Sequence, residues 1–285
     1  MLFVACFSAL LFALSKDHVV AIFQPKGVIA MAERNLIFTA FALMLIVVVP
    51  VYILTLFIAL RYRAGNTKAK YTPTRDRDLL EEFIWWAIPC VIVSALAIVT
   101  WKSSHQLDPF QPLESANTPM TIEVVALNWK WLFIYPKEGI ASVNFVEFPE
   151  NTSVDFKITS GAAMNSFWIP QLGGQIYAMS GMVTHLHLDG EAGEYAGASA
   201  NLSGRGFSGM HFVAKVVSRP EFDAWVSSIQ LVAPSILDSY SFHELQKESV
   251  DEPVSTFRLS EYPVFDSVLD SYMAPGTMHT MNMNI

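Results

Sequence analysis

Two long apolar stretches lie in the first third of the chain. Residues 36–60 carry no charged side chain, and a helix of that length extends ~38 Å, enough to cross a bilayer. Residues 83–101 form a second such stretch, with Trp85, Trp86 and Trp101 near its ends, where tryptophan typically anchors a span at the membrane surface. The pattern predicts two membrane-spanning helices.

The chain between these stretches is basic. Six lysine and arginine side chains fall in or next to it: Arg61, Arg63, Lys68, Lys70, Arg75 and Arg77. Such clustering marks a cytoplasmic loop, so we predict a transmembrane hairpin over residues 24–102 with a cytoplasmic loop at 61–82. The portion after the second span then faces the periplasm.

The apolar run at residues 2–15 is too short for a span, which needs ~20 residues. We interpret residues 1–23 as a signal-like apolar N-terminus. Cys6 is then one more apolar residue of that segment.

A strand pattern begins at residue 120, after a proline-containing linker at 103–119. The first run, TIEVVALNWKWLFIYP, alternates and is rich in β-branched and aromatic residues. On a single strand Trp129 and Trp131 would share one face. Many short strands without a long helix between them predict a β-sandwich over residues 120–218. The further predicted strands are 141–148, 153–160, 166–169, 175–179, 182–188, 193–198 and 209–217.

Residues 219–285 follow a helical pattern and are predicted to form a helical C-terminal arm and tail. Three short helices are expected, in RPEFDAWVSSIQ, SYSFHELQKE and YPVFDSVLDSYM. The last residues contain Met278, His279, Met281 and Met283, soft side chains that can bind copper in principle.

Composition and charge agree with a membrane protein. Hydrophobic residues make up 52% of the 285 residues, and the net charge is −8. Residues 1–101 hold nine basic and six acidic side chains, whereas residues 102–285 hold nine basic and twenty acidic ones. An acidic extramembrane portion argues against nucleic-acid binding.

Metal chemistry is limited by the cysteines. Cys6 and Cys90 are the two in the chain, so the extramembrane portion has no disulfide, no zinc-finger spacing and no thiolate for copper. His185 and His187 lie two apart on a predicted strand and point to one face. No carboxylate is expected to converge on them, and we predict no metal there.

The segment Gly197–Met210 has the spacing G-x-S-x-N-x-S-G-x-x-F-x-x-M. With Cys at Ser199 and Ser203 and His at Phe207, it would read as the ligand loop of the dinuclear copper (CuA) centre of oxidase subunit II. Asn165 stands where the upstream histidine ligand of that family would be. The predicted degenerate copper-ligand positions are Asn165, Ser199, Asn201, Ser203, Phe207 and Met210, of which Met210 alone keeps a soft donor.

Taken together, the hairpin and the segments NWKWLFIYP, NSFWIPQLGGQIYAMSGM and GASANLSGRGFSGM resemble subunit II of cytochrome bo-type ubiquinol oxidases, in the haem–copper superfamily. The resemblance covers roughly residues 24–275. It implies a membrane-anchored all-β protein whose transmembrane hairpin precedes a periplasmic cupredoxin-like β-sandwich without copper and a short helical arm.

The resemblance also implies a role. The chain would be a non-catalytic subunit of a proton-pumping ubiquinol oxidase in the bacterial inner membrane, without catalytic residues or cofactors of its own. Haem, CuB and the quinol site would belong to subunit I. The implied partners are subunit I, small membrane subunits and lipid, with ubiquinol as reductant of the complex and cytochrome c excluded.

Glu82 is open to two interpretations. An acid in the first turn of a helix favours the helix dipole, and a carboxylate at a membrane edge can admit protons. The resemblance places Glu82 at the entrance of a proton pathway.

Two other functions stay open. One is a cytochrome c oxidase subunit with an unusual copper site, which the missing cysteines oppose. The other is a membrane-anchored cupredoxin-like binding or copper-chaperone module that uses the methionine-rich tail.

Overall fold

The computed structural model describes residues 20–67, 78–114, 117–232 and 235–273. By its internal contacts the chain divides into two compact units. One unit is Glu33–Asp108, and the other comprises the rest of the described chain. The N-terminal segment before residue 20 and the methionine-rich tail lie outside the described residues.

Two long helices account for the predicted spans. Helix α1 covers Val28–Arg61 and helix α2 covers Leu79–Gln106. Both are long and apolar enough to cross a membrane, and most of their side chains are exposed. Pro50 and Pro89 lie within them, as neighbouring membrane helices can accommodate. An apolar groove separates the two helices, lined by Leu43, Met44, Val47, Val48, Pro89, Ile92, Val93 and Leu96.

Both helices extend beyond the apolar stretches that predicted them. Asp78 caps α2 by accepting a hydrogen bond from the Leu80 backbone N–H at 3.2 Å, so the helix begins before the apolar run. At its other end α2 continues to Gln106, three residues before Pro109. Polar residues at helix ends lower the mean hydropathy of the stretch, although several of them here, such as Glu81, Glu82 and Lys102, are good helix formers.

The second unit is a β-sandwich of two sheets within the described residues. The seven-stranded sheet has the spatial order β11 (Ile236–Leu237), β12 (Ser255–Leu259), β3 (Ile140–Val143), β2 (Lys130–Tyr135), β1 (Met120–Leu127), β5 (Val154–Ser160) and β8 (Thr184–Leu188). The five-stranded sheet has the order β4 (Phe145–Pro149), β10 (His211–Val217), β9 (Gly193–Ser199), β6 (Asn165–Trp168) and β7 (Ile176–Ala178). With the two apolar helices and the short helices described below, this confirms the predicted fold class.

Aromatic side chains fill the space between the sheets. The Phe167 and Phe212 rings stack with centroids 5.1 Å apart, and Trp131 meets Phe167 edge-on at 5.3 Å. Phe133 packs against Phe212 at 5.1 Å from the opposite sheet. Rings of this size bury much apolar area and prefer these offset or edge contacts, so the aromatic positions of the strand pattern become the core.

Two segments that the sequence pattern predicted as continuous strands are each divided in two in the structure. Trp129 has a φ of 63°, which turns the chain between β1 and β2. Trp129 therefore lies in the turn rather than on the strand with Trp131, and the predicted shared face is wrong. Asn144 has a φ of 55° and divides the predicted strand 141–148 into β3 and β4, which join different sheets. Its amide oxygen accepts from the Trp131 backbone N–H at 2.9 Å.

The first turn of α1 and the segment before it are tied to the sandwich by backbone hydrogen bonds. Lys26 N–H donates to the Gln171 carbonyl at 2.7 Å, and Ala30 N–H donates to the Leu172 carbonyl at 3.1 Å. The Asp189 carboxylate accepts from the Val28 N–H at 2.8 Å and so caps the start of the helix from another part of the chain.

The C-terminal arm is only partly helical. It contains helices α3 (Arg219–Val232), α4 (Ser239–Leu245) and α5 (Val264–Tyr272). Between them, β11 and β12 add two strands to the edge of the seven-stranded sheet, β12 pairing antiparallel with β3. The prediction of a purely helical arm missed these short strands, which propensity cannot distinguish from loop when the pairing partner is distant.

Candidate functional site

The degenerate copper-ligand positions lie at one end of the five-stranded sheet. Strand β9 ends at Ser199 and β10 begins at His211, with a loop and a short 3-10 helix, Phe207–Gly209, between them. Strand β6 begins at Asn165 and pairs antiparallel with β9, with Phe167 opposite Ser199. Antiparallel pairing therefore brings Asn165 beside the start of the loop.

Three of the six positions are joined by hydrogen bonds. The Ser199 Oγ donates to the Asn165 Oδ1 at 3.0 Å and lies 3.4 Å from the Asn201 carbonyl. The Asn165 side-chain amide donates to the Ala163 carbonyl at 2.8 Å, and the Asn201 amide donates to the Met164 carbonyl at 2.9 Å. Asn165 and Ser199 are buried. These groups form a neutral cluster in which each polar side chain has a partner.

The other three positions are held through the backbone. Met210 is fully buried in the sandwich core, and its carbonyl accepts from the Ser199 N–H at 3.1 Å. Its own N–H donates to the Phe207 carbonyl at 3.0 Å. The Ser203 Oγ is buried without a hydrogen-bond partner among the described residues. Among the described residues, neither the Ser203 side chain nor the Phe207 side chain is hydrogen-bonded to the Asn165–Ser199 cluster.

These donors do not fit a dinuclear copper centre. Such a centre needs bridging thiolates and imidazoles as soft and borderline ligands. Here Ser199 and Ser203 supply hydroxyls, Asn165 an amide and Phe207 a hydrocarbon ring. Across residues 20–67, 78–114, 117–232 and 235–273, no group of three His, Cys, Asp or Glu side chains is arranged to hold a metal. Contacts within the protein hold the loop in the described structure.

Trp129 supplies one such contact. Its indole Nε1–H donates to the Ser203 carbonyl at 3.1 Å, and the Arg205 guanidinium lies 5.9 Å from the indole centroid. Gly206 lies against the same ring, so closely that a β-carbon at this position would come within 2.4 Å of it. The indole fills the inner side of the loop where the side chain of any residue other than glycine would collide.

The C-terminal arm supplies a second set of contacts, which sequence reasoning missed. The Asn128 amide donates to the Gln246 carbonyl at 2.9 Å, and the Lys130 ammonium donates to the Lys247 carbonyl at 3.1 Å. These two residues flank Trp129, so one turn holds both the arm and the loop.

The arm also reaches the loop directly. Arg205 lies 3.8 Å from the Glu248 carboxylate, in an exposed ion pair. Gly209 packs against Asp251, whose carboxylate oxygen would be 2.3 Å from a β-carbon at Gly209. Arm residues 246–252 therefore cover the outer side of the loop, which we call the arm clamp.

Glu82 lies in the first turn of α2 and is exposed. Its backbone N–H donates to the Asp78 carbonyl at 3.0 Å. This placement agrees with both the dipole and the proton-pathway interpretations, and the role of Glu82 stays a prediction. It belongs to the unit Glu33–Asp108, whereas the degenerate copper-ligand positions belong to the other unit.

The prediction that no carboxylate converges on His185 and His187 is wrong. Asp155, on the neighbouring strand β5, lies directly opposite His187 in the sheet register. Its Oδ1 is 3.0 Å from the His185 Nδ1 and 3.7 Å from the His187 Nε2. The contact was missed because the register of β5 and β8 cannot be read from either strand alone.

Comparison with known proteins identifies close relatives over most of the chain, although no family model matches it. The chain is 48% identical over 256 residues to the cytochrome bo(3) ubiquinol oxidase subunit 2 of Pseudomonas aeruginosa, covering 90% of this chain and 77% of the relative. It is 46% identical over 254 residues to the ubiquinol oxidase subunit 2 of Acetobacter aceti, covering 88% and 82%. The quinol oxidase subunit 2 of Bacillus cereus is 38% identical over 246 residues, covering 85% and 84%.

A solved structure also aligns with part of the chain. It is the periplasmic domain of subunit II of cytochrome oxidase of Bradyrhizobium japonicum, with 22% identity and a TM-score of 0.39. The alignment covers 41% of this chain and 98% of that domain.

Proposed function

This chain belongs to the ubiquinol oxidase subunit 2 family, and from that membership we propose that it is the subunit of a terminal ubiquinol oxidase that carries no electrons itself. The complex oxidises ubiquinol and reduces oxygen to water. This chain contributes two membrane helices and a cupredoxin-like sandwich that pack with the catalytic subunit I.

One observation carries the proposal. At the positions of a thiolate and an imidazole in copper-containing relatives of the fold, the Ser199 Oγ donates to the Asn165 Oδ1 at 3.0 Å. A hydroxyl that is protonated at neutral pH and a neutral amide are poor ligands for copper. With no copper centre in this sandwich, cytochrome c has no electron acceptor on this chain. Ubiquinol dissolved in the bilayer needs none, because it can reduce a cofactor within the membrane.

The remaining parts of the proposal follow if subunit I carries the electron-transfer cofactors and this chain carries none. Haem and CuB are in subunit I, and small membrane subunits and lipid complete the complex. The chain lies in the bacterial inner membrane, with the basic loop cytoplasmic and the sandwich periplasmic. The two apolar helices and the basic residues between them support this topology. The oxidase pumps protons, so turnover is coupled to charge movement.

The test is purification of the complex through an affinity tag on this chain. We expect haem absorption, oxygen consumption with ubiquinol, and no oxidation of reduced cytochrome c. Copper should not exceed the amount that CuB accounts for. Copper in excess of CuB, together with cytochrome c oxidation, would contradict the proposal.

We further propose that Glu82 lies at the entrance of a proton pathway. It is exposed in the first turn of α2, next to a predicted cytoplasmic loop. Glu82→Ala should lower turnover about ten-fold, which corresponds to ~1.4 kcal/mol in the activation barrier. Glu81→Ala is the matched control, since it removes the neighbouring acid of the same helix turn.

Haem content must be equal in both variants, so that a loss of assembly is not taken for a loss of proton uptake. Equal turnover of the Glu82→Ala and Glu81→Ala complexes would favour the helix-dipole interpretation of Glu82 instead.

A further inference from the structure

Two histidines and a carboxylate meet on the outer face of the seven-stranded sheet, away from the degenerate copper loop. His185 and His187 are on the edge strand β8, and Asp155 is on its neighbour β5. The imidazole rings are nearly parallel, with centroids 6.5 Å apart. The side chains of His187 and Asp155 are largely buried, with 11% and 18% of their surfaces exposed.

His187 also holds the linker that follows α2. The His187 Nδ1 lies 3.0 Å from the Pro109 carbonyl oxygen, and the His187 backbone N–H donates to the same oxygen at 3.3 Å. Pro109 is three residues beyond the end of α2 at Gln106. The linker therefore lies along the free edge of β8, which would otherwise expose unpaired backbone groups.

The hydrogen bond to Pro109 decides where the ring proton of His187 lies. A carbonyl oxygen only accepts, so the Nδ1 must carry the hydrogen. In the neutral ring the Nε2 then has a lone pair, and this atom faces the Asp155 Oδ1 at 3.7 Å. Two acceptors oppose each other there. A proton on the Nε2 turns the contact into an ion pair and makes the Nδ1–H bond to Pro109 charge-assisted and stronger.

We propose that Asp155, His185 and His187 form a proton-operated latch that holds the linker at Pro109 more tightly as the surrounding pH falls. His187 is the switch, because its ring nitrogen hydrogen-bonds the Pro109 carbonyl, whereas the contact of His185 with the linker is a ring contact with Phe110. His185 shares the carboxylate, with its Nδ1 3.0 Å and 3.3 Å from the two Asp155 oxygens. No redox or covalent step is involved.

Other charged groups on this face belong to the neighbouring strands and helix. Lys157 on β5 lies opposite His185 on β8 in the sheet register, and Glu123 on β1 lies opposite Lys157. The negative charge of Asp266 on α5 adds to the effect of burial in raising the pKa of Glu123. On the linker, the Phe110 ring packs 6.1 Å from the His185 ring. The Asp155 Oδ1 lies 3.0 Å from the His185 Nδ1 and 3.7 Å from the His187 Nε2, so the proton acts through this carboxylate.

The experiment is hydrogen–deuterium exchange of the full chain in its assembled complex between pH 5.5 and pH 8, corrected for intrinsic exchange. The peptides to follow cover residues 107–112 and 184–188. We expect the His187 amide to be protected about five-fold more at pH 5.5, the ratio that corresponds to ~1 kcal/mol for one strengthened hydrogen bond. Equal protection at both pH values would overturn the proposal.

Three variants separate the latch from general stability. His187→Asn keeps a side-chain N–H near the Nδ1 position but cannot titrate, so protection should become independent of pH. Asp155→Asn removes the ion-pair partner of the His187 Nε2, so it should weaken the pH response, and it tests the same claim if the first variant does not fold. His211→Asn removes an exposed histidine of β10 and should keep the response. A pH response that survives His187→Asn, or that Asp155→Asn leaves unchanged, would refute the latch.

Discussion

Trp129 gives the sharpest test of how the loop keeps its shape without a metal. Its indole donates to the Ser203 carbonyl at 3.1 Å and lies against Gly206 on the inner side of the loop. The residue is 9% exposed, so nearly all of its apolar surface is in contact with protein. Trp129→Phe keeps a ring but removes the donor, whereas Trp129→Ala removes both.

The magnitudes follow from those contacts. Loss of one partly buried hydrogen bond costs about 1 kcal/mol, so Trp129→Phe should raise the fraction of open loop about five-fold. Trp129→Ala leaves a cavity as well, and truncation of a buried tryptophan costs about 3 kcal/mol or more. Gly206→Ala should destabilise the loop too, because its methyl group has no room beside the indole.

Hydrogen exchange of the peptide covering residues 199–210 in the purified complex measures loop opening directly. Trp168→Phe is the matched control, since Trp168 of β6 is 38% exposed and should tolerate the change. The wild-type loop should exchange equally with and without a chelator. An unchanged loop in Trp129→Phe, or a loop that opens when a chelator is added, would refute the reasoning.

Three further predictions concern other parts of the sandwich. Gly27→Ala should weaken docking of the segment before α1 by about 1–3 kcal/mol, because a β-carbon there would lie 2.8 Å from the Asp189 carbonyl oxygen. Limited proteolysis near residue 27 measures the docking, and an unchanged cleavage rate would contradict the prediction. Burial, and then a neighbouring carboxylate, raises the pKa of Glu123, so its ionisation opposes folding once the pH rises through the raised pKa. Glu123→Gln should therefore raise the free energy of unfolding at pH 7 by a few tenths of a kcal/mol, seen as a higher melting temperature. This gain should vanish near pH 4, and a gain that does not change with pH would contradict the prediction. Tyr135→Phe should cost about 2 kcal/mol in chemical denaturation, because the hydroxyl donates to the Glu147 carbonyl and accepts from its N–H in the core, and a cost near zero would contradict this.

The membrane helices and the strand-rich portion could be predicted because each depends on a local pattern. An uncharged stretch of residues 36–60 has few alternatives to a span. The breaks at Trp129 and Asn144 could not be predicted. Both residues adopt a positive φ without being glycine. Asparagine tolerates this conformation better than tryptophan, but its presence in a sequence does not show that the chain turns there.

The spacing predicts the degenerate copper-ligand positions, and that assignment stays a prediction, but the contacts that hold the loop could not be predicted. The Asn128 and Lys130 side chains bond to arm carbonyls, and every residue of the arm offers a carbonyl. No residue type in the arm therefore signals the contact. The Ser199–Asn165 pair was accessible in principle, since the resemblance of the two segments to copper-ligand motifs puts both positions at one site.

The Ser199–Asn165 hydrogen bond, Trp129 and the arm clamp belong to one structural arrangement that holds the loop. A metal bound by residues from β6 and the loop would cross-link them, and its absence would leave a long loop with little to hold it. Here the Ser199–Asn165 hydrogen bond restores the link to β6, Trp129 holds the inner side, and residues 246–252 cover the outer side. The Ser199–Asn165 and Trp129–Ser203 hydrogen bonds join neutral groups, so neither the metal concentration nor the ionic strength should alter them. A sandwich held in this way can present a constant surface to the rest of an oxidase.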